Sequence, residues 1–414
     1  MNLAEKAYMG TILKENYLIN ETVIKPEHLT DSRHQKLFEE IKRLTTEGKK
    51  ADLVTLAMSK NIQDFGGMSY INELLSYADP VKFDSYENLV LETWREQEKD
   101  RVLTTAKLQE WSIEKVIGEL ERINTIRKAD DHKKIKNLLL EVYETPWQKT
   151  YEQRGATTGI KLLNDAINGL QDSEFIIIAA RPSMGKTDFM LHLVKNVGWQ
   201  GYIPIVFSLE MPAEKLRDRM IASTGRYNRN KMRNPYRYLT PKQKETWVQT
   251  LTMVNKTNVH IFDQSGQSIP EMRAKIRKII NQEPNKKPVI FIDYLTLIKP
   301  QKFYNGNAHL QVTEISRDLK NLAKDFNCPV VCLAQLNRGV ENRTDKRPLM
   351  SDIRESGSVE QDADVIMFLY REKYYDKESN DDTLEIIVAK ARNGTTLTVN
   401  VRYNEATGEI IDES

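Results

Sequence analysis

The sequence predicts an α/β fold, a parallel sheet with late antiparallel strands, preceded by an all-helical part. Three observations carry this. Short apolar, β-branched runs alternate with amphipathic helical stretches from about residue 157 onward, the pattern of a parallel sheet covered on both faces. Residues 1 to about 100 show only the helical apolar period. Between Glu174 and Val194 the chain reads as strand, tight loop, Gly-Lys-Thr and helix.

The helical part is legible in pieces. Ala4, Ala7, Tyr8, Ile12 and Leu13 share one helical face, and Leu37, Phe38, Ile41 and Leu44 share another. Asp52 is placed to cap a helix through Leu53, Leu56 and Ala57. Gly66-Gly67 breaks the chain before the apolar stretch from Tyr70 to Leu75. Residues 86–120 form a long amphipathic stretch, read as paired helices. No catalytic constellation falls in this part, so a helical interaction module is the expectation. Residues 124–134 are polar and charged, as in a hinge. Ile135, Leu138, Leu139 and Val142 then line one face of a short helix over 135–143, and Pro146 ends it. Such a face must bury itself on its own domain or on a neighbouring subunit.

In the second part Phe175–Ala180 reads as a strand buried on both faces. Residues 181–184 turn, and Gly185-Lys186-Thr187 opens a helix with apolar residues at Phe189, Met190, Leu193, Val194 and Val197. This is the P-loop arrangement. Ser183, Met184 and Gly185 bring backbone N–H groups close to a phosphate, and Lys186 neutralises β/γ charge. The Thr187 hydroxyl is a Mg²⁺ ligand in that arrangement. One position departs from the general pattern: Ala180 stands where a first Gly is expected.

Other strands end in polar residues of interest. Asp293 closes the apolar run 289–292, where an acid beside a P-loop holds the metal's water shell. Glu210 follows the run 205–209 and suits activation of an attacking water, though the dipole of a helix starting near Pro212 equally favours an acid there. Gln335 ends the run 330–334, either as a γ-phosphate sensor or as an ordinary strand-end residue. Lys390 and Arg392 lie two apart at a strand-to-turn edge and point the same way, either toward phosphate or into solvent. The runs 204–209, 259–262, 288–292, 329–334, 365–370, 384–390 and 396–402 are the expected further strands, with helices from Ala213, over 269–280 and over 312–326. Arg354-Glu355-Ser356-Gly357-Ser358 and the basic loop 299–306 are candidate nucleic-acid contacts. Residues 226–237 are the most basic and aromatic stretch, read as a solvated or subunit-contacting face.

Composition narrows the rest. The 414 residues suggest two or three domains, and 40% hydrophobic content suits sizeable cores. Lys plus Arg number 61 against 59 Asp plus Glu, a net charge of +2, so a nucleic-acid surface has to be local. Cys328 and Cys332 share one apolar run, too far apart in a strand to bridge, which suits buried thiols in a reducing cytoplasm. The six histidines are scattered, which argues against a zinc site. There is no signal peptide and no apolar run of membrane-spanning length. The expectation is a cytoplasmic protein with no membrane partner.

The chain resembles the DnaB-type replicative DNA helicases over nearly its whole length. The matching stretches are 158–160 with 168–170, 179–187, 208–212, 292–294, 314–317, 335–338, 345–364 and 390–394. The run Asp352-Ile353-Arg354-Glu355-Ser356-Gly357-Ser358 is highly specific to the family, where Ala in place of the first P-loop Gly is usual. Weaker matches are 4–7, 52–56 and Gly66-Gly67 with Tyr70. The resemblance implies a RecA-like P-loop motor domain over 157–414, a helical N-terminal interaction domain over 1–110, and a helical linker region over 111–156 whose 135–143 helix docks on the adjacent subunit. It implies a homohexameric ring that hydrolyses ATP at subunit interfaces and moves 5′ to 3′ on single-stranded DNA, unwinding the replication fork. Ser183 through Thr187 and Asp293 then hold ATP and Mg²⁺, Glu210 activates water, and Gln335 senses the γ-phosphate. Lys390 and Arg392 reach the neighbour's ATP, and Arg354, Glu355 and Gly357 line the DNA path. A primase and a helicase loader are the implied partners. Residues 226–237 are richer in Arg than the family pattern and receive no role. The length is short for a cellular member, which suggests a phage or mobile-element version. Rival functions are a RecA-class recombinase or DNA-stimulated ATPase without unwinding, and a ring that only recruits primase or loader; a P-loop small-molecule kinase is a weaker third, since nothing resembles a phosphoacceptor pocket.

Overall fold

A computed structural model of the chain describes residues 3–59, 61–111, 155–302, 304, 305, 307–353, 357–376, 378, 379 and 381–413. Between 112 and 154 it describes only residues 115, 116, 119, 120, 123, 135, 139, 140 and 143–147. The expected hinge over 124–134, most of the 135–143 helix, and Arg354 and Glu355 therefore lie outside the described residues. The chain divides into two units, Met1–Tyr151 and Glu152–Ser414.

The described secondary structure of the first unit is helical throughout. Helices Leu3–Lys14, Ser32–Thr46, Leu53–Ala57, Gly67–Ser76 and Phe83–Leu108 surround one core in which Tyr8, Ile12, Leu37, Phe38, Ile41, Leu74 and Phe83 are almost fully buried. Two aspartates start helices: the Asp52 carboxylate, as the sequence implies, accepts from Thr55 N–H, and that of Asp31 accepts from Arg33 N–H. Within the 86–120 stretch read as paired helices, a 26-residue helix, Phe83–Leu108, ends at a turn over 109–110, and the described residues 115, 116, 119 and 120 beyond it are again helical. The Phe83–Leu108 segment contains no Gly or Pro to interrupt it.

The second unit is built on a nine-stranded sheet: β1 (Phe175–Ala180), β2 (Ile203–Ser208), β3 (His260–Phe262), β4 (Pro288–Asp293), β5 (Val330–Gln335), β6 (Val365–Tyr370), β7 (Thr383–Ala391), β8 (Leu397–Asn404) and β9 (Glu409–Ile411). Their order is β3-β2-β4-β5-β1-β6-β7-β8-β9. β1 to β6 pair in parallel, and β7, β8 and β9 continue the sheet antiparallel. The period of two along β1 sorts its side chains between two cores. Ile176, Ile178 and Ala180 join the core under helix Lys186–Trp199, while Phe175, Ile177 and Ala179 join the one under helices Ile269–Gln282 and Ala308–Asp325. Cys328 precedes β5 rather than sharing it with Cys332; both are buried and unbridged.

Two regions differ from the reading of the sequence. β9 is too short to carry a periodic signal. Residues 226–237 present a largely exposed surface, as read, except that Tyr227 turns inward to a small core with Ile221 and Leu239, beside short helices ending in Trp247–Asn255. Tyr227 is fully buried and its hydroxyl bonds that of Thr250 at 2.9 Å. A basic run hid an anchoring aromatic. Among the described residues no helix is long and apolar enough to cross a membrane.

Candidate nucleotide site

The strand order explains how distant residues meet. In the row β2-β4-β5-β1 all four strands run the same way, so their carboxyl ends form one edge. Glu210 leaves the end of β2, Asp293 ends β4, Gln335 ends β5 and the P-loop follows β1. Ligands bind at such an edge in open α/β sheets. An open cavity of about 460 Å³ lies there, lined by Ser183, Gly185, Lys186, Thr187, Glu210 and Gln335 among others.

The P-loop conformation depends on its residue types. Ser183 and Gly185 have φ of 66° and 94°, so the loop turns through the left-handed region before helix Lys186–Trp199 begins. A Cβ on Gly185 would stand 3.3 Å from the Tyr403 ring, so this position is limited by space as well as by φ. The helix start leaves N–H groups facing the cavity, an anion site by geometry and dipole. Met184 is buried beneath the loop, so its contribution is its backbone.

Asp293 is completely buried. The Thr187 hydroxyl donates to its Oδ2 at 3.2 Å, and its Oδ1 has no hydrogen-bond partner. Burial pushes the Asp293 carboxyl above its usual range, against the pull of the Lys186 charge. Burial likewise lowers the Lys186 ammonium, against the fields of Asp293 and Glu210. A bare buried carboxylate oxygen beside a hydroxyl, with an ammonium close by, is a donor set suited to a hard divalent cation carrying phosphate. The Lys186 Nζ reaches the Ala334 carbonyl at 3.5 Å and lies 4.8 Å from the centre of the Tyr294 ring.

Lys390 and Arg392 do not line this cavity. β7 runs against β6, so its end, Ala391, pairs with Val365 at the start of β6, on the opposite edge of the sheet. There the Lys390 Nζ donates to the carbonyls of Glu360 and Ala363, each at 2.6 Å. Arg392 donates to the Gln361 carbonyl at 2.6 Å and pairs with Asp364 Oδ1 at 3.2 Å. Gly357 opens the helix Gly357–Asp362 that supplies two of these three carbonyls and leads into the third. Leu336, one residue after Gln335, bridges Ile353, so the segment before Gly357 is tied to the end of β5.

The cavity also holds residues that the sequence did not single out: Arg181, Asp188, Arg219, Arg229, Tyr403 and Glu405. Arg181 donates to the Leu336 carbonyl and to Glu341, both at 2.9 Å. Asp188 was findable, as an acid immediately after Gly-Lys-Thr. Tyr403 and Arg229 carry no local signal, because Tyr403 reaches the P-loop from the end of β8 and Arg229 is held there by the turn that follows it.

A P-loop helix and carboxylate-tipped strands at one edge of a doubly covered parallel sheet define a nucleotide-hydrolysing motor of the P-loop class. The model of the DnaB-like helicase C terminal domain matches residues 155–412, and that of the DnaB-like helicase N terminal domain residues 1–92. The chain is similar to the replicative DNA helicase DnaB of Geobacillus stearothermophilus, 35% identical over 422 residues, 97% of this chain and 92% of that one. It is equally similar to the replicative DNA helicase DnaC of Bacillus subtilis, 35% identical over 97% of this chain and 92% of that one. Among solved structures it resembles a DnaB-like replicative helicase described with its interactions with primase, at TM-score 0.65, 32% identity and full coverage of both chains. It also resembles a solved ATPase domain, at TM-score 0.65 and 37% identity, over 69% of this chain and all of that one. The chain belongs to the DnaB family of replicative DNA helicases, and is an ATP-dependent DNA helicase.

Proposed function

We propose that the chain works as a homohexameric ring that hydrolyses ATP at its subunit interfaces and moves 5′ to 3′ on single-stranded DNA, opening duplex at the fork. The observation that supports this is the division of the chemistry between the two edges of the sheet. Lys186, Thr187, Glu210, Asp293 and Gln335 gather at the carboxyl edge, while Lys390 and Arg392 sit at the amino edge. Six-residue strands separate these edges by roughly 20 Å. The two cations are out of reach of their own subunit's nucleotide, which supports a role toward a neighbour's in a ring.

In this reading the N–H groups of Ser183 to Thr187 and the Lys186 ammonium bind the phosphates. Thr187 Oγ1 and Asp293 are the residues that would hold Mg²⁺, which would supply charge neutralisation at the phosphate oxygens. Glu210, exposed at the mouth of β2, orients and deprotonates the attacking water. Gln335 contacts the γ-phosphate, and the Leu336–Ile353 bridge carries its position toward Gly357, where Arg354, Glu355 and Gly357 follow the DNA backbone. Phosphate contacts of that kind make binding salt-sensitive and nearly independent of sequence. Residues 1–110 serve as an interaction domain and 111–156 as the linker whose 135–143 helix docks on the adjacent subunit. The similarity to a helicase studied with primase supports primase as a partner; a loader is proposed from the family resemblance.

The test is ATP-dependent unwinding of forked duplexes bearing either a 5′ or a 3′ tail, with Arg392→Ala beside the wild type. Unwinding that needs the 5′ tail and is lost in an assembled Arg392→Ala ring is the expected result. DNA-stimulated hydrolysis without strand separation on either fork would instead favour the recombinase-like or loader-dependent readings.

A further inference from the structure

The basic stretch 226–237 is unused by the mechanism above, yet it sends one side chain into the cavity. We propose that Arg229, positioned by Asp188 and Tyr403, forms a nucleoside subsite that grips the base and ribose of the bound nucleotide. This rests on reading the cavity as the ATP site.

Asp188 is the centre of the arrangement. It follows Thr187 directly and is only 4% exposed. Tyr403 donates to its Oδ2 at 2.5 Å, Arg219 to its Oδ1 at 3.3 Å, and Arg229 Nη2 lies 2.5 Å from the same Oδ1. A buried carboxylate next to a triphosphate is unfavourable unless neutralised. Here two guanidiniums and a phenol converge on one carboxylate and neutralise it. Burial and the Asp188 charge keep the Tyr403 hydroxyl protonated, so it donates rather than competes.

The wall is shaped for Arg229. A Cβ on Gly408 would fall 1.8 Å from the Arg229 Nη2, so the guanidinium lies across a backbone that only glycine leaves bare. The Arg229 N–H bonds the Ala406 carbonyl at 2.9 Å, fixing the segment to the turn after β8. Arg229 Nη2 is engaged by Asp188, whereas its Nε is buried without a hydrogen-bond partner, and the side chain is 27% exposed. A buried, directional donor in this state is ready for a ligand acceptor.

Position assigns the ligand part. The γ-phosphate end of the cavity is marked by Glu210, Asp293 and Gln335, and the field of Arg219 reaches Asp293. Arg229 lies against Asp188 and is tied to the β8–β9 turn. Past Lys186 and Thr187 a P-loop leads toward the α-phosphate, beyond which the nucleoside lies. A planar guanidinium stacks on a base and donates to ribose oxygens.

Calorimetric titration of the full chain with ADP and with inorganic tripolyphosphate, both with Mg²⁺, tests this. Arg229→Ala is expected to weaken ADP binding about tenfold, the size of a lost charge-assisted bond, and to change tripolyphosphate binding less than about twofold. Equal loss of both ligands, or loss of neither, would overturn the inference. If Arg229→Ala does not fold, Arg229→Lys, which keeps a cation against Asp188, is read by the same criterion. Lys186→Ala tests the underlying reading separately: it should lose both ligands, and if it keeps both, the P-loop assignment falls and the subsite with it.

Discussion

The hydroxyl of Thr187 donates to Asp293 Oδ2 across 3.2 Å, joining the first turn of the P-loop helix to the end of β4. The second Asp293 oxygen is buried and unpartnered. An oxygen left bare in this way costs about 1–3 kcal/mol unless a ligand satisfies it. Asp293→Asn keeps the shape and removes the charge. It should still bind nucleotide, while the rate of hydrolysis falls on the order of 10²–10³-fold and the dependence on added Mg²⁺ weakens. Steady-state hydrolysis across a Mg²⁺ titration measures this, and near-normal turnover would remove Asp293 from the metal's shell.

Lys390 and Arg392 are held by carbonyls of their own chain at the edge away from the P-loop. If they serve a neighbour, defects in the two edges complement. Lys186→Ala and Arg392→Ala subunits should each be inert alone, with losses of about 10³–10⁵ where a trans cation is removed. Mixed rings contain some interfaces with both an intact P-loop and an intact arginine, so mixing should restore part of the hydrolysis. A mixture as inactive as its parents would place Arg392 in another role.

The gathering of Lys186, Glu210, Asp293 and Gln335 was legible because each ends or follows an apolar run, and parallel strands align their ends. What was hidden depends on folding back. Tyr403 reaches Asp188 only because β8 lies antiparallel beside β7 and the turn after it returns to the P-loop helix. The buried Tyr227 was masked by its charged neighbours, since a charge run is read as surface.

Gly10 sits where helix Leu3–Lys14 crosses Gly67–Ser76. A Cβ there would meet the Leu74 carbonyl oxygen at 1.9 Å, and that backbone has no room to yield without moving its helix. Gly10→Ala should destabilise the first unit by about 2 kcal/mol or more, despite the better helix propensity of alanine. A fragment ending before residue 110, if it folds, would show a lower melting temperature; the full chain would keep its affinity for ADP. An unchanged or raised melting temperature would mean that the two helices separate at little cost.

His192 lies in helix Lys186–Trp199 with its Nε2 buried and unpartnered. Burial, helped by the charge of Lys195, pushes its pKa down to about 4. In the unfolded chain the ring protonates near 6.5. Between those values the unfolded state holds the extra proton, so stability is fully present above about pH 6.5 and is lost as pH falls toward 4, by up to about 3 kcal/mol. Other groups titrate nearby: burial lowers His28 in the same sense, while the raised Glu174 and Asp293 act in the opposite one. The informative quantity is therefore the difference between wild type and His192→Gln. Chemical denaturation followed from pH 7 to pH 4.5 should show the gap between them shifting in favour of the glutamine variant as pH falls. Parallel curves would mean that the ring protonates in place, with water reaching the Nε2.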